Sequence, residues 1–351
     1  MKMFNFLPWQ IAEAENFLSN KNRLGHAWII HGSHGIGKLN FAFTVAACLL
    51  CENSKNNFPC MACSSCNWLS DDNHPDLKLI SPESIKINHT KISKIVNSTI
   101  EPKKNKTLSR EIRINQIREL ELWFNTTTYR EGWRIIILFP SESLNEISGN
   151  ALLKILEEPP KNTLFLIIAA AIDKLLPTVV SRCQKFKLSI PDQEVASKWL
   201  NKQGVEKSKE WLAAAGGAPI AALQSSTENK NTCPLWIISL LNILARDVQP
   251  KIDDLFKICD KNLSVHQMID TLQKVCIDIV LIFVGNENVR YFPILQKPIE
   301  QVVYNTDFSS IINMSHWLLT QKKIATYPIN MKFFFYVTIK KFGNIFLNNK
   351  Y

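Results

Sequence analysis

Short apolar runs alternate with amphipathic stretches through the first half of the chain. Ala27–His31, Leu77–Ile80, Ile135–Leu138, Leu164–Ala169 and Lys185–Leu188 read as strands. Between them, Ile11–Leu18, Leu39–Leu50, Ile114–Phe124 and Glu146–Leu156 carry apolar residues at helical spacing. Strands that are apolar at consecutive positions, separated by helices, predict an α/β architecture with a parallel sheet covered on both faces. Pro159-Pro160 stops the last of these helices, because proline cannot donate to a helical ladder.

The stretch Pro82–Glu111 breaks this rhythm. It is rich in Lys, Asn, Ser and Thr and is expected to be a surface insertion. After Pro191 only helical patterns remain: Ala196–Gln203 and Glu210–Ala215, closing at Gly216-Gly217, then Trp236–Ala245, Val265–Val284, Phe308–Thr320 and Met331–Phe346. The expected organisation is an α/β domain over residues 1–190, a helical lid over 191–227 and an all-α C-terminal domain over 228–351. Within the first domain lie a cysteine-rich module at about 48–77 and the insertion at about 82–111.

A length of 351 residues exceeds what a single core usually holds, in keeping with several domains. With 46% hydrophobic and 21% charged residues the chain is neither disordered nor fibrous. The apolar stretches Pro234–Leu244 and Val275–Val284 are too short to span a bilayer, and Thr163–Val180 is interrupted by Asp173 and Lys174. The N-terminus turns acidic before a signal-peptide core could develop. A soluble cytoplasmic protein with no membrane partner is expected. The net charge of +10 admits nucleic acid as a partner, but lysines scattered over Lys86–Lys106 and Lys202–Lys209 would produce it without a binding surface. Of nine cysteines, five fall between Cys48 and Cys66, which in a cytoplasmic chain points to metal ligands rather than disulfides.

Four features could carry chemistry. The segment HGSHGIGKL, residues 31–39, follows a strand and opens a helix, and Gly32, Gly37 and Lys38 match the phosphate loop G-x-x-x-x-G-K-[ST]. The last position fails: Leu39 has no hydroxyl to hold Mg²⁺. In the strand RIIILFPSES, residues 134–143, Phe139 and Pro140 stand where a nucleotide site needs a metal-binding carboxylate, and Glu142 alone would not replace both ligands. A degenerate loop kept as a turn, with ATP binding unlikely, is the favoured reading; an ATPase using Glu142 is the enzyme alternative. Third, Cys51, Cys60, Cys63 and Cys66 offer the four thiolates of a closed structural Zn²⁺ site. Cys48, one turn earlier, is the substitute first ligand, and His74 a weaker candidate better read as a turn residue. Finally, Ser181, Arg182 and Cys183 lie between a helix and a strand. An arginine at this corner of a P-loop domain, with no evident partner in the chain, could complete another subunit's nucleotide site as a finger in trans.

Taken together, the phosphate loop, the cysteine cluster followed by HPD (74–76), NALLKILEEPP (150–160), LLPTVVSRCQ (175–184) and GGAPIAAL (216–223) resemble the AAA+ clamp-loader family of bacterial DNA polymerase III, within it the delta-prime type of subunit. The agreement covers roughly residues 20–224, with YPINMKFFF (327–335) a looser match. The resemblance implies an AAA+ domain, a lid and a collar domain for oligomerisation. It implies a non-catalytic, stator-like subunit in a ring that loads the sliding clamp onto primer–template DNA, with gamma/tau and delta subunits as partners. Arg182 would be the finger, and the four cysteines would hold zinc. Gamma/tau subunits share the cysteine cluster and the Ser-Arg-Cys motif and are the nearest alternative, but they should keep Ser or Thr at position 39 and an acidic strand end. Ala169 also stands where a polar sensor is expected, and Gly216–Leu223 contains no Arg or Lys for a basic one. A stand-alone zinc-dependent nucleic-acid-binding module is the remaining alternative; it leaves Arg182 and the NALLKILEEPP helix unexplained.

Overall fold

A computed structural model describes residues 4–19, 24–56, 58–85, 108–129, 132–228, 231–259, 263–304, 306–325 and 329–347. Most of the insertion expected at 82–111 lies outside them. Two compact units are present: Met1–Gly204 with Ala218–Gln224, and Val205–Gly217 with Ser225–Tyr351.

The first unit is built on a parallel sheet in the order β2-β3-β4-β1-β5. Its strands are β1 (Ala27–His31), β2 (Leu77–Ile80), β3 (Arg134–Leu138), β4 (Thr163–Ala169) and β5 (Gln184–Lys187). The helices α1 (Ile11–Leu18), α2 (Lys38–Leu50), α3 (Ser64–Ser70), α4 (Ile114–Phe124), α5 (Glu146–Glu157), α6 (Pro177–Val180) and α7 (Gln193–Lys202) connect or flank them. The two-residue period of a strand divides the apolar side chains between two cores. Ile135, Ile137, Leu164, Leu166 and Ile168 join Phe41 and Val45 of α2 and Phe17 of α1. Ile136, Leu138, Phe165 and Ile167 face the other way, onto Ile117 and Leu120 of α4 and Leu152 and Ile155 of α5. Every residue of β3 and β4 is buried, which explains why neither strand shows polar alternation. β5 is an edge strand, and its Gln184, Lys185 and Lys187 are exposed.

The second unit is helical. Helix α8 (Ser208–Ala214) belongs to it, α9 (Pro219–Glu228) begins in the first unit and ends in this one, and α10 (Leu235–Leu244), α11 (Ile252–Lys257), α12 (Val265–Phe283), α13 (Gln296–Tyr304), α14 (Phe308–Ile324) and α15 (Met331–Leu347) follow. Their core includes Trp236, Leu240, Leu272, Ile279, Met314, Phe335 and Phe342. The fully buried Asp278 accepts backbone N–H bonds from Arg290, Tyr291 and Phe292, each at 2.9 Å, so its charge ties the loop before α13 to α12. No helix among the described residues is long and apolar enough to cross a membrane.

Candidate functional site

The phosphate loop joins β1 to α2, with Gly37 at φ +92° as the helix N-cap. Lys38 is only 7% exposed, and its ammonium donates to the loop's own carbonyls, Gly32 O at 2.7 Å and Ser33 O at 2.8 Å. Burial pulls the Lys38 pKa down to about 8, opposed by the Glu142 carboxylate. Burial also lowers the pKa of His31 and His34, with Lys38 acting in the same direction on both. From one side, Trp9 Nε1 donates to Ile36 O at 3.0 Å, and Gln10 Nε2 donates to Gly37 O at 2.9 Å. Ile220 N–H donates to Gly35 O at 3.0 Å, which brings the start of α9 onto the loop. Leu39 and Phe139, at the positions expected to hold Mg²⁺, pack partly buried against the apolar core of α2.

Glu142 lies near enough to act on Lys38, but its carboxylate is engaged by backbone. Its Oε1 accepts the backbone N–H of Ala170, and that of Ala171 at 3.4 Å, capping the end of β4. Ser141 Oγ donates to Ile168 O at 2.8 Å and holds the same turn against the strand.

The cysteine group is assembled from the end of α2 and the start of α3. The Sγ atoms of Cys51, Cys60, Cys63 and Cys66 all lie within 4.8 Å of one another, and Cys51 and Cys63 are 3.9 Å apart. A tetrahedron with metal–sulfur bonds of about 2.3 Å has edges of about 3.8 Å, so the cluster has the size of a metal site. Backbone N–H groups point at the sulfurs: Cys60 N to Cys51 Sγ at 3.2 Å, Cys63 N to Cys60 Sγ at 3.4 Å and Cys66 N to Cys63 Sγ at 3.4 Å. Such bonds favour thiolate, and those from Ala62 and Cys63 draw the Cys60 pKa down to about 6. Burial pushes Cys51 and Cys66 upward, so a cation is what would let all four ionise together. The group does not include Cys48, which is buried within α2, or His74.

His74 has a different task. Its Nδ1 accepts the Asp76 N–H at 3.1 Å, so Nε2 carries the proton and donates to Ser65 Oγ at 2.8 Å. Ser65 in turn donates to Leu50 O at 2.7 Å. The Asp76 carboxylate receives Tyr129 N–H at 3.1 Å. The HPD triplet thus fastens the cysteine module to the edge of the sheet.

At the other corner, Ser181 follows α6, and its Oγ donates to Thr178 O at 2.9 Å. The Cys183 thiol packs against the apolar core beneath, and burial pushes its pKa up to about 12. Arg182 is 34% exposed, but the expectation that it lacks a partner within the chain is wrong. Its Nε donates to Glu157 Oε1 at 2.8 Å, Nη2 donates to the same oxygen, and Nη1 donates to Thr178 O at 3.0 Å. Glu157 is the last residue of α5, whose packing against α6 brings two separately recognised motifs into contact.

Residues 11–192 match the family described as "DNA polymerase III, delta subunit". The chain belongs to that family. It is 31% identical over 224 residues to the DNA polymerase III subunit delta' of Pseudomonas aeruginosa, a match covering 63% of this chain and 61% of that relative. With subunit delta' of Bacillus subtilis it shares 26% identity over 321 residues, 89% of each chain. The chain thus spans about three fifths of the Pseudomonas relative's length. Among solved structures, a gamma subunit-related protein of Thermotoga maritima aligns over 96% of this chain and 99% of its own, with 13% identity and a TM-score of 0.47, a distance at which the likeness carries no argument.

Proposed function

We propose that this chain is a non-catalytic, stator-like clamp-loader subunit that assembles with gamma/tau-type and delta-type subunits in the cytoplasm. In that complex it helps place the sliding clamp on primer–template DNA and extends Arg182 toward a neighbouring subunit's ATP. The carrying observation is the state of its own phosphate loop: Lys38 is spent on Gly32 O and Ser33 O, and Leu39 and Phe139 offer no oxygen to Mg²⁺. The engagement of Glu142 with Ala170 argues against the alternative in which that carboxylate rescues an active ATPase. In a ring, the guanidinium would stabilise charge developing on the neighbour's γ-phosphate. Arginine fingers contribute about 10³–10⁵ in rate, roughly 4–7 kcal/mol of barrier.

The same reading assigns one structural Zn²⁺ to Cys51, Cys60, Cys63 and Cys66, supported by the sulfur spacing and the N–H bonds that favour thiolate. With four protein thiolates such a site is closed to substrate and serves folding rather than catalysis.

The test has two arms. The chain is co-purified with gamma/tau and delta subunits, and titrated with MgATP in a calorimeter. A stable complex and no nucleotide heat are expected. Exclusion from the complex, or sub-micromolar Mg²⁺-dependent ATP binding by the isolated chain, would overturn the reading.

A further inference from the structure

We propose that Glu157 is a positioning residue for Arg182, setting the guanidinium so that it can meet a phosphate presented by a neighbouring subunit. This rests on the reading of Arg182 as a finger in trans. An arginine has about 2 kcal/mol of rotamer entropy to lose when its head is fixed, and a finger that must find its orientation anew at each turnover is a poor electrostatic catalyst.

In this chain the orientation is supplied from two elements. The α5 carboxylate takes Nε and one Nη2 hydrogen, and the Thr178 carbonyl of α6 takes one Nη1 hydrogen at 3.0 Å. A guanidinium has five N–H donors, so these contacts leave one on each Nη, with Ser181 Oγ a distant acceptor at 3.4 Å from Nη1. With Arg182 34% and Glu157 51% exposed, the pair is not a buried ion pair holding the core together. Exposed ion pairs contribute little to stability, so a role in orientation accounts for the contact better than a role in folding. Both partners sit where their elements end, Glu157 at the last residue of α5 and Arg182 two residues past α6, and the packing of α5 against α6 brings them together.

The experiment uses the reconstituted loader with clamp and primed DNA, and compares wild type, Glu157→Ala, Glu157→Gln, Arg182→Ala and the Glu157→Ala/Arg182→Ala double variant at equal assembly. Glu157→Ala should lower the Arg182-dependent part of ATP turnover about five- to tenfold, a modest share of what misplacing a catalytic group can cost. The KM for ATP, the melting temperature and the metal content should not move. Glu157→Gln keeps an acceptor oxygen at the same reach and should retain most of the activity. The double variant should be no worse than Arg182→Ala alone, because a positioning residue acts only through the group it positions.

If Arg182→Ala has no effect, the finger reading fails and Glu157 has nothing to position. If Arg182→Ala impairs turnover while Glu157→Ala does not, the finger stands and the positioning role is overturned. A further loss on adding Glu157→Ala to Arg182→Ala would also overturn it, placing Glu157 in some other interaction.

Discussion

Two glycines with nearly the same φ test whether the start of α9 presses on the phosphate loop. Gly35 has φ +79° and Gly204 has φ +82°. A Cβ at Gly35 would lie 2.5 Å from Ala221 Cβ and 2.9 Å from Ala221 N, whereas one at Gly204 would meet nothing within 4 Å. Alanine at either site bears the left-handed penalty, about 1–2 kcal/mol. Only Gly35→Ala adds overpacking against backbone, about 1–3 kcal/mol, and it strains the Ile220 N–H bond to Gly35 O. Gly35→Ala should therefore destabilise the sheet-bearing unit by about 2–5 kcal/mol, against about 1–2 kcal/mol for Gly204→Ala. The assay is urea unfolding of that unit's transition, with unchanged slope and a lower midpoint. Equal losses in the two variants would show that Ala221 does not press on the loop in solution.

Other consequences follow from the same geometry. Freshly purified protein should carry one Zn²⁺ per chain by metal analysis; Cys63→Ser should lose it and Cys48→Ser should keep it, and the reverse would mean that the ligand set is wrong. His74→Leu should retain metal while destabilising the module by about 1–3 kcal/mol, the cost of leaving the Asp76 N–H without its acceptor and the Ser65 oxygen without the imidazole donor, though Ser65 keeps its bond to Leu50 O; loss of metal would instead make His74 a ligand. Because the folded state depresses the Lys38 pKa to about 8, the unfolded chain holds the extra proton between about pH 8 and the ordinary lysine value. The stability of wild type relative to Lys38→Met should then rise with pH across that window, by at most about 3 kcal/mol. A difference that is flat or falls with pH would show that the ammonium is not buried.

The sheet was legible because β3 and β4 bury every side chain, so their apolar runs stand out without alternation. Their first residues are polar and stand outside those apolar runs. Arg134 is polar yet 3% exposed, its guanidinium bonded to Thr126 O at 2.7 Å and lying over the Trp123 ring, as suits a cation at the C-terminus of α4. Helix α13 was missed because Pro298 interrupts its pattern, although in the first turn a proline costs no hydrogen bond. Helix α11 is only six residues long and offers too few turns to show a period. The cysteine group was legible from spacing, since close ligands in sequence must be close in space. Contacts between Arg182 and Glu157, or between Glu142 and Ala170, join residues 25 and 28 positions apart and follow from the packing of whole elements. Nor could the loop motif tell whether Lys38 turns outward to a phosphate or inward to its own carbonyls.

On the proposed reading, Arg182 serves another subunit's ATP site and Lys38 serves none. Clamp- and DNA-stimulated ATP turnover of the reconstituted loader separates the two residues, with Arg182→Ala and Lys38→Ala compared against wild type at equal assembly. Arg182→Ala should reduce turnover without abolishing it, since other active sites remain, and Lys38→Ala should leave it unchanged. Loss of turnover on Lys38→Ala with Arg182→Ala unaffected would contradict the account and return the chain to an ATPase-active role.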